Sequence, residues 1–263
     1  MNLKIGYVQT SPIFGELTQN FEQIEKLLGK IKADLIVLPE LFATGYTFIS
    51  KEEAESLAET TDGKTAEFLM KIAKRTGAVV IGGFIETDGN SIFNSSMIVS
   101  ESEVLGTYRK LHLYYKEKKW FSQGNKPLKV YEVRKSKVGI MICFDWFFPE
   151  TIRRLALLGA DIIAHPANLV LPYCQKAMTT RCLVNRVFAV TSNRIGNEAR
   201  GEDNFIFTGG SQITSFNGDV LSSAPKDKSH IDFVEIDFNQ ARDKNLNKFN
   251  NVIEDRRTEF YSL

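Results

Sequence analysis

The stretch Lys137-Val-Gly-Ile-Met-Ile-Cys-Phe-Asp-Trp-Phe-Phe-Pro-Glu150 reads as an apolar strand that ends on Cys143 and turns into a helix near Pro149. A strand covered on both faces is a near-continuous apolar run, and proline suits the first turn of a helix. The stretch therefore places a thiol at a strand end, where open α/β proteins keep their chemistry. Comparable segments lie on both sides. Residues 3–9 read as a strand, Phe21, Ile24, Leu27, Leu28 and Ile31 recur at helical spacing, and 34–39 is a short apolar strand before Glu40. A helix over 67–75 stops at Thr76-Gly77, and 78–81 extends again. Beyond Cys143 the expected order is a helix through Ile152, Leu155 and Leu158, a strand over 161–165, a helix over 176–185 and a strand over 187–192. This alternation argues for sheets covered by helices.

Residues 91–99, 104–109 and 128–133 read as strands joined by turns, which does not fit a purely parallel doubly wound sheet. The last part mixes strands over 211–214 and 231–237 with a short helix over 239–246. No Ser/Gly-rich linker or compositional break divides the chain, so one domain over 1–263 is expected. Ala33-Asp-Leu-Ile-Val-Leu-Pro39 faintly resembles Ala160-Asp-Ile-Ile-Ala-His-Pro166, as two related sheets packed together, or chance, would produce.

Composition narrows the partners. A chain of 263 residues, 43% apolar and 25% charged, is long enough for one large core. Thirty-three basic against thirty-two acidic residues leave +1, which gives no long-range attraction to nucleic acid or anionic lipid. Met1-Asn-Leu-Lys-Ile5 lacks the build of a signal peptide, and no apolar run reaches membrane-spanning length. Three cysteines do not suggest a disulfide framework and fit a reducing compartment, so the cytoplasm is the expected location.

A thiol becomes a strong nucleophile when a base takes its proton, and the attacked centre then needs help in carrying negative charge. From residue type alone Cys143 is as readily a small buried hydrophobe. Cys182 lies in a helix, where packing is the simple reading, and Cys174 stands at a loop-to-helix junction. Neither His112 nor His165 is dismissed as a base. The histidines are scattered, no Cys-x-x-Cys pair occurs, and neither phosphate-binding glycine pattern is present. Glu40 follows an apolar strand, as a general base or as a cap or ion-pair partner. Lys110 ends the 104–109 strand, as an oxyanion-stabilising ammonium or, with Arg109 and Lys116, as part of a solvated basic edge.

Three motifs in order carry a resemblance: Asp34-Leu-Ile-Val-Leu-Pro-Glu40, Gly106-Thr-Tyr-Arg-Lys-Leu-His112 and Val138-Gly-Ile-Met-Ile-Cys-Phe-Asp145. Together they closely resemble the nitrilase, or carbon-nitrogen hydrolase, superfamily. The likeness runs from the first strand through His165-Pro-Ala-Asn-Leu-Val170 and Arg181 to Asn193-Arg-Ile-Gly196. It implies a four-layer α-β-β-α sandwich, commonly paired as a homodimer or larger homo-oligomer, with a tail over about 247–263 reaching the partner. It implies Glu40 as general base, Lys110 as oxyanion-stabilising lysine, Cys143 as nucleophile and Glu117 as a second pocket glutamate, with the Phe144 backbone N–H facing the oxyanion. Tyr46, Trp146, Phe147 and Asn168 would shape the substrate pocket, while Asp145, Glu150 and Arg181 would hold the backbone around it.

The reaction implied is hydrolysis of a small linear amide through a cysteine thioester, with water as co-substrate and no metal or organic cofactor. Aliphatic nitriles and carbamoyl amines are the alternatives. Relatives resembling ω-amidases carry an arginine where this chain has Phe147, which speaks for a neutral or partly apolar substrate. A noncatalytic interaction protein on the same scaffold would require Cys143 to be inaccessible, or Glu40 and Lys110 to point away from it.

Overall fold

In the computed structural model, which describes residues 2–261, the first half runs β1 (Asn2–Gln9), α1 (Leu17–Leu28), β2 (Leu35–Val37), α2 (Lys51–Ser56) and α3 (Lys64–Thr76). It continues with β3 (Val79–Thr87), β4 (Ile92–Val99), β5 (Val104–Arg109) and a single helical turn, α4 (Glu117–Trp120). The second half runs β6 (Val130–Val133), β7 (Ser136–Ile140), a 3-10 turn over Cys143–Phe147, α5 (Pro149–Leu157), β8 (Ile162–Pro166), α6 (Cys174–Asn185) and β9 (Phe188–Ser192). A hairpin of β10 (Asn197–Arg200) and β11 (Asp203–Ile206) precedes β12 (Gln212–Thr214), β13 (Val220–Ser223), β14 (His230–Asp237) and α7 (Asn239–Arg242).

Leu35, Ile36 and Val37 are fully buried, because β2 lies inside a sheet that is itself covered on both faces. Successive side chains of a strand point to opposite faces. Leu35 and Val37 accordingly join Val138, Ile140 and Ile162 between the two sheets, while Ile36 joins Leu69 and Ile72 under α3. Each such aliphatic side chain contributes about 1.5–3 kcal/mol on burial.

The two sheets have six strands each, in the orders β14-β1-β2-β3-β4-β5 and β13-β12-β9-β8-β7-β6. In each, three central strands are parallel, β1-β2-β3 in one and β7-β8-β9 in the other, and antiparallel strands flank them. The sheets face each other, with β1 against β9 and β2 and β3 against β8. Helices α1 and α3 cover the first sheet, and α5 and α6 cover the second. This is the four-layer α-β-β-α sandwich expected from the motifs. The faintly similar segments around Val37 and Ala164 prove to be the middle strands of the two parallel triplets.

Helix ends follow local chemistry. Gly77 closes α3 in the left-handed conformation (φ 75°), its N–H reaching Ala73 O at 2.8 Å. Pro149 opens α5, and Gly159 (φ 89°) follows its end. The helix expected over 239–246 stops at Arg242, because the Asp243 carboxylate accepts the Asn245 N–H at 3.0 Å and holds a turn instead. Among the described residues no helix is long and apolar enough to cross a membrane.

One glycine ties fold to site. A Cβ added at Gly83 of β3 would lie 2.5 Å from Leu41 N and 2.7 Å from Glu40 Cα, so the backbone after β2 fits only against a bare Cα. Leu41 itself is held at φ 46°. Gly83→Ala is expected to destabilise the fold by about 1–3 kcal/mol and to displace Glu40. Urea unfolding of the two proteins measures the first effect, and a crystal structure of the variant would show the second. Unchanged stability would mean that this backbone gives way freely.

Candidate active site

Three strand ends meet between the sheets. Glu40 follows β2 and Pro39, Lys110 directly follows β5, and Cys143 opens the 3-10 turn after β7. The Lys110 ammonium donates to Glu40 Oε1 at 2.7 Å and to Glu117 Oε1 at 2.8 Å. All three side chains are at most 3% exposed. Asn94 Nδ2 donates to Glu40 Oε1 at 2.7 Å, the Tyr46 hydroxyl to Glu117 Oε1 at 2.6 Å, and the Tyr114 backbone N–H to Glu117 Oε2 at 3.1 Å. Glu40 Oε2, also buried, has no protein partner.

Protonation states follow from this crowding. Burial alone would lower the Lys110 pKa, but the Glu117 and Glu40 carboxylates overturn that and hold it above the ordinary lysine value. Burial pushes Glu117 up, opposed by Lys110 and reinforced by Glu40. Two carboxylates thus share one cation. Burial likewise raises the Cys143 thiol well above its ordinary value; Glu40 and Glu117 add to the shift, while Lys110 and the Asn168 backbone N–H oppose it. The resting sulfur is therefore a neutral thiol within the electrostatic reach of an ammonium and two carboxylates.

The backbone around the thiol is unusual. Cys143 has φ 41°, a left-handed conformation that side chains with a Cβ rarely adopt. Asp145, fully buried, holds it from below, accepting the Ile142 N–H at 2.9 Å, the Tyr108 hydroxyl at 2.7 Å and the His112 N–H at 3.1 Å. His165 Nε2 lies 3.0 Å from the Cys143 carbonyl oxygen, and its Nδ1 lies 3.1 Å from Thr191 Oγ1. The carbonyl can only accept, which fixes the proton on Nε2 and leaves Nδ1 to accept from the threonine. His112 pairs with Asp145 at 2.7 Å and stacks on Phe148 at 3.7 Å, so both histidines support the turn.

A narrow cleft of about 20 Å³ opens over Cys143, walled by Tyr114, Phe144, Trp146, Asn168 and the 169–171 run. It has room for about one water, so an amide enters only as wall side chains give way. Phe147 is not on this wall: it is 51% exposed and packs on Phe144, Trp146 and Phe148. Successive residues of a 3-10 turn point about a third of a turn apart, which sends Trp146 inward and Phe147 out. Tyr46 also stands apart from the cleft, lining a second hollow with Glu117, Trp120 and Phe205. Arg181 reaches the carbonyls of Trp146 and Phe147 at 3.4 and 3.3 Å, while Glu150 is exposed. Cys174 and Cys182 are buried in α6, away from the cleft. Asn94 was not singled out from sequence, although the polar run Asn94-Ser-Ser96 inside an otherwise apolar strand is the feature that could have marked it. Among the described residues no three His, Cys, Asp or Glu side chains gather so as to hold a metal ion.

The two-sheet sandwich thus carries a buried thiol and a buried ammonium at strand ends, with two carboxylates on the ammonium. The sequence profile described as carbon-nitrogen hydrolase matches residues 4–245, and the chain belongs to that family. A nitrilase of Pyrococcus abyssi is 44% identical, over 98% of this chain and 99% of its own. An (R)-stereoselective amidase of a Pseudomonas species is 32% identical, over 91% of this chain and 87% of its own. In fold, the carbon-nitrogen hydrolase of Helicobacter pylori G27 superposes with a TM-score of 0.87 at 23% identity, covering 99% of this chain and 97% of that one.

Burial lowers the His165 pKa to about 4. Below pH ~6.5 the unfolded chain binds a proton here that the folded protein refuses until about pH 4. Stability is therefore lost as pH falls through that window, by about 3 kcal/mol in full. His165→Gln keeps a donor for the Cys143 carbonyl without titrating. Urea unfolding from pH 7 to pH 4 is expected to give a shallower pH slope for the variant; identical slopes would show that His165 does not carry the effect.

Proposed function

We propose that the protein hydrolyses the C–N bond of a small linear amide through a cysteine thioester, releasing ammonia or an amine and a carboxylic acid. The observation that carries the reading is the buried Lys110 ammonium joined to both Glu40 and Glu117 beside the Cys143 thiol. Glu40 Oε2 is the oxygen without a partner, and it is suited to take the thiol proton. The sulfur then attacks the amide carbon. Lys110 has three N–H donors, and its two carboxylate bonds leave one for the developing oxyanion. The Phe144 N–H, in the first turn of the 3-10 segment, lacks an intrahelical partner and is the second donor in this reading.

Glu40 next gives its proton to the leaving nitrogen, the C–N bond breaks, and the acyl group remains on sulfur. The carboxylate then takes a proton from water, hydroxide attacks the thioester, and the acid leaves as Cys143 regains its proton. Glu117, fixed by Tyr46 and the Tyr114 N–H, positions Lys110 throughout. The cleft wall supports an uncharged substrate, since no Lys, Arg, Asp or Glu lines it. The likeness to the Pyrococcus nitrilase favours aliphatic nitriles as the second reading. There a thioimidate would form, and water would add before ammonia leaves.

A panel of small amides, carbamoyl amines and nitriles, assayed for ammonia with native protein and Cys143→Ala, tests both readings. Amide turnover that disappears in the variant is expected. Equal release by the two proteins would remove Cys143 from the chemistry, and release from nitriles alone would replace the amidase reading.

A further inference from the structure

Asn168 follows β8 by two residues and is 3% exposed. It lines the same cleft as Cys143, and its backbone N–H is near enough to the sulfur to oppose the rise in the thiol pKa. Both polar atoms of its side chain, Oδ1 and Nδ2, are buried and have no protein partner. A neighbouring buried asparagine shows how differently such a group is normally treated. Asn193 accepts the Leu169 N–H at 2.8 Å and donates to Gly209 O at 2.7 Å. A buried carboxamide with neither bond made costs several kcal/mol, and a protein tolerates this where a ligand makes the bonds.

The surroundings limit that ligand. Glu40, Lys110 and Glu117 are not on the cleft wall, whereas Asn168 is, among Phe144, Trp146 and the apolar 169–171 run. Asn168 therefore stands on the cleft side of Cys143, where the part of a bound substrate beyond the scissile carbon would lie. A group that satisfies both of its atoms must donate and accept side by side and carry no charge. A carboxamide does so through two parallel hydrogen bonds. A carboxylate only accepts and would enter a wall with no cation, a nitrile would satisfy Nδ2 alone, and an alkyl end would satisfy neither atom.

We propose that Asn168 is a specificity-determining residue that pairs with a second, uncharged carboxamide, so that the preferred substrates are short diamides. This rests on the reading of Cys143 as the nucleophile facing the cleft. One amide is cleaved at Cys143 while the other is held by Asn168, and the product is the monoamide acid. That product carries a charge the cleft does not accommodate, which favours its release.

Binding, measured separately from turnover, tests the proposal. Full-length Cys143→Ala protein is titrated with succinamide, its near-isostere 4-methylpentanamide, and succinamate, following tryptophan fluorescence from Trp146 in the cleft wall. Succinamide is expected to bind at least ~10-fold more tightly than either, and adding Asn168→Leu is expected to bring the three within about twofold. Succinamide binding no tighter than 4-methylpentanamide, or a preference that survives Asn168→Leu, overturns the proposal. Should the double variant fail to fold by circular dichroism, the ligand series on Cys143→Ala alone decides. Absence of any hydrolysis by native protein would count against the amidase reading instead, since the binding preference is measured without catalysis.

Discussion

Everything in the site is arranged around one buried cation. Lys110 is 1% exposed, and taking an ammonium out of water costs several kcal/mol unless its charge is met. Two carboxylates meet it, which creates the opposite problem of one negative charge in excess. Asn94, the Tyr46 hydroxyl and the Tyr114 N–H supply the remaining donors, until only Glu40 Oε2 stands without one. The cluster is over-determined on every side but that one. Its neighbour Arg109 faces the other way, into a separate pair with Glu86 at 2.6 Å and over the Phe93 ring at 3.7 Å. Alternation along the end of β5 thus delivers one cation to each face without competition between them.

The thiol is held by a different device. The strand β7 ends at Ile140, and the left-handed residue at 143 opens the 3-10 turn that follows. Such a conformation costs about 1–3 kcal/mol and persists only where the surroundings insist on it. Asp145 from within the turn and His165 from β8 supply that insistence, binding the residue before Cys143 and the carbonyl of Cys143 itself. These contacts set the direction of the Phe144 N–H as well. A stable fold is thereby used to hold an unfavourable local geometry ready in the resting protein.

How much of this was legible depended on whether the deciding contacts were local. The strands β2, β7 and β8 could be read directly, because strands buried on both faces are written as apolar runs. Helix α2 was not, although Ser50 caps the Glu53 N–H at 3.2 Å; only Ala54 of its residues is buried, so there was no apolar period to find. The β10–β11 hairpin was hidden for a similar reason, since Asn197-Glu-Ala-Arg200 has little strand propensity and its place is fixed by Glu198 binding the Tyr46 and Thr47 N–H groups. Glu40, Lys110 and Cys143 stood out as residues at strand ends, but nothing in spacing says that strand ends 70 residues apart converge; the motif order carried that. Tyr46 was expected in the pocket and instead braces Glu117, a partner 71 residues away.

The two sheets divide the chemistry between them. The first contributes Glu40 from the strand at its centre and Lys110 from the strand at its edge, with Tyr114 and Glu117 from the segment that follows, while the second contributes the thiol and the rest of the cleft wall. In the first, the backbone that carries Glu40 is closely approached by Gly83 of β3. The cleft wall carries no Lys, Arg, Asp or Glu. In such an arrangement the buried ion cluster belongs to one sheet, and the thiol with most of the cleft wall to the other. Relatives that share this fold yet bear names as different as nitrilase and (R)-stereoselective amidase are what that separation would permit.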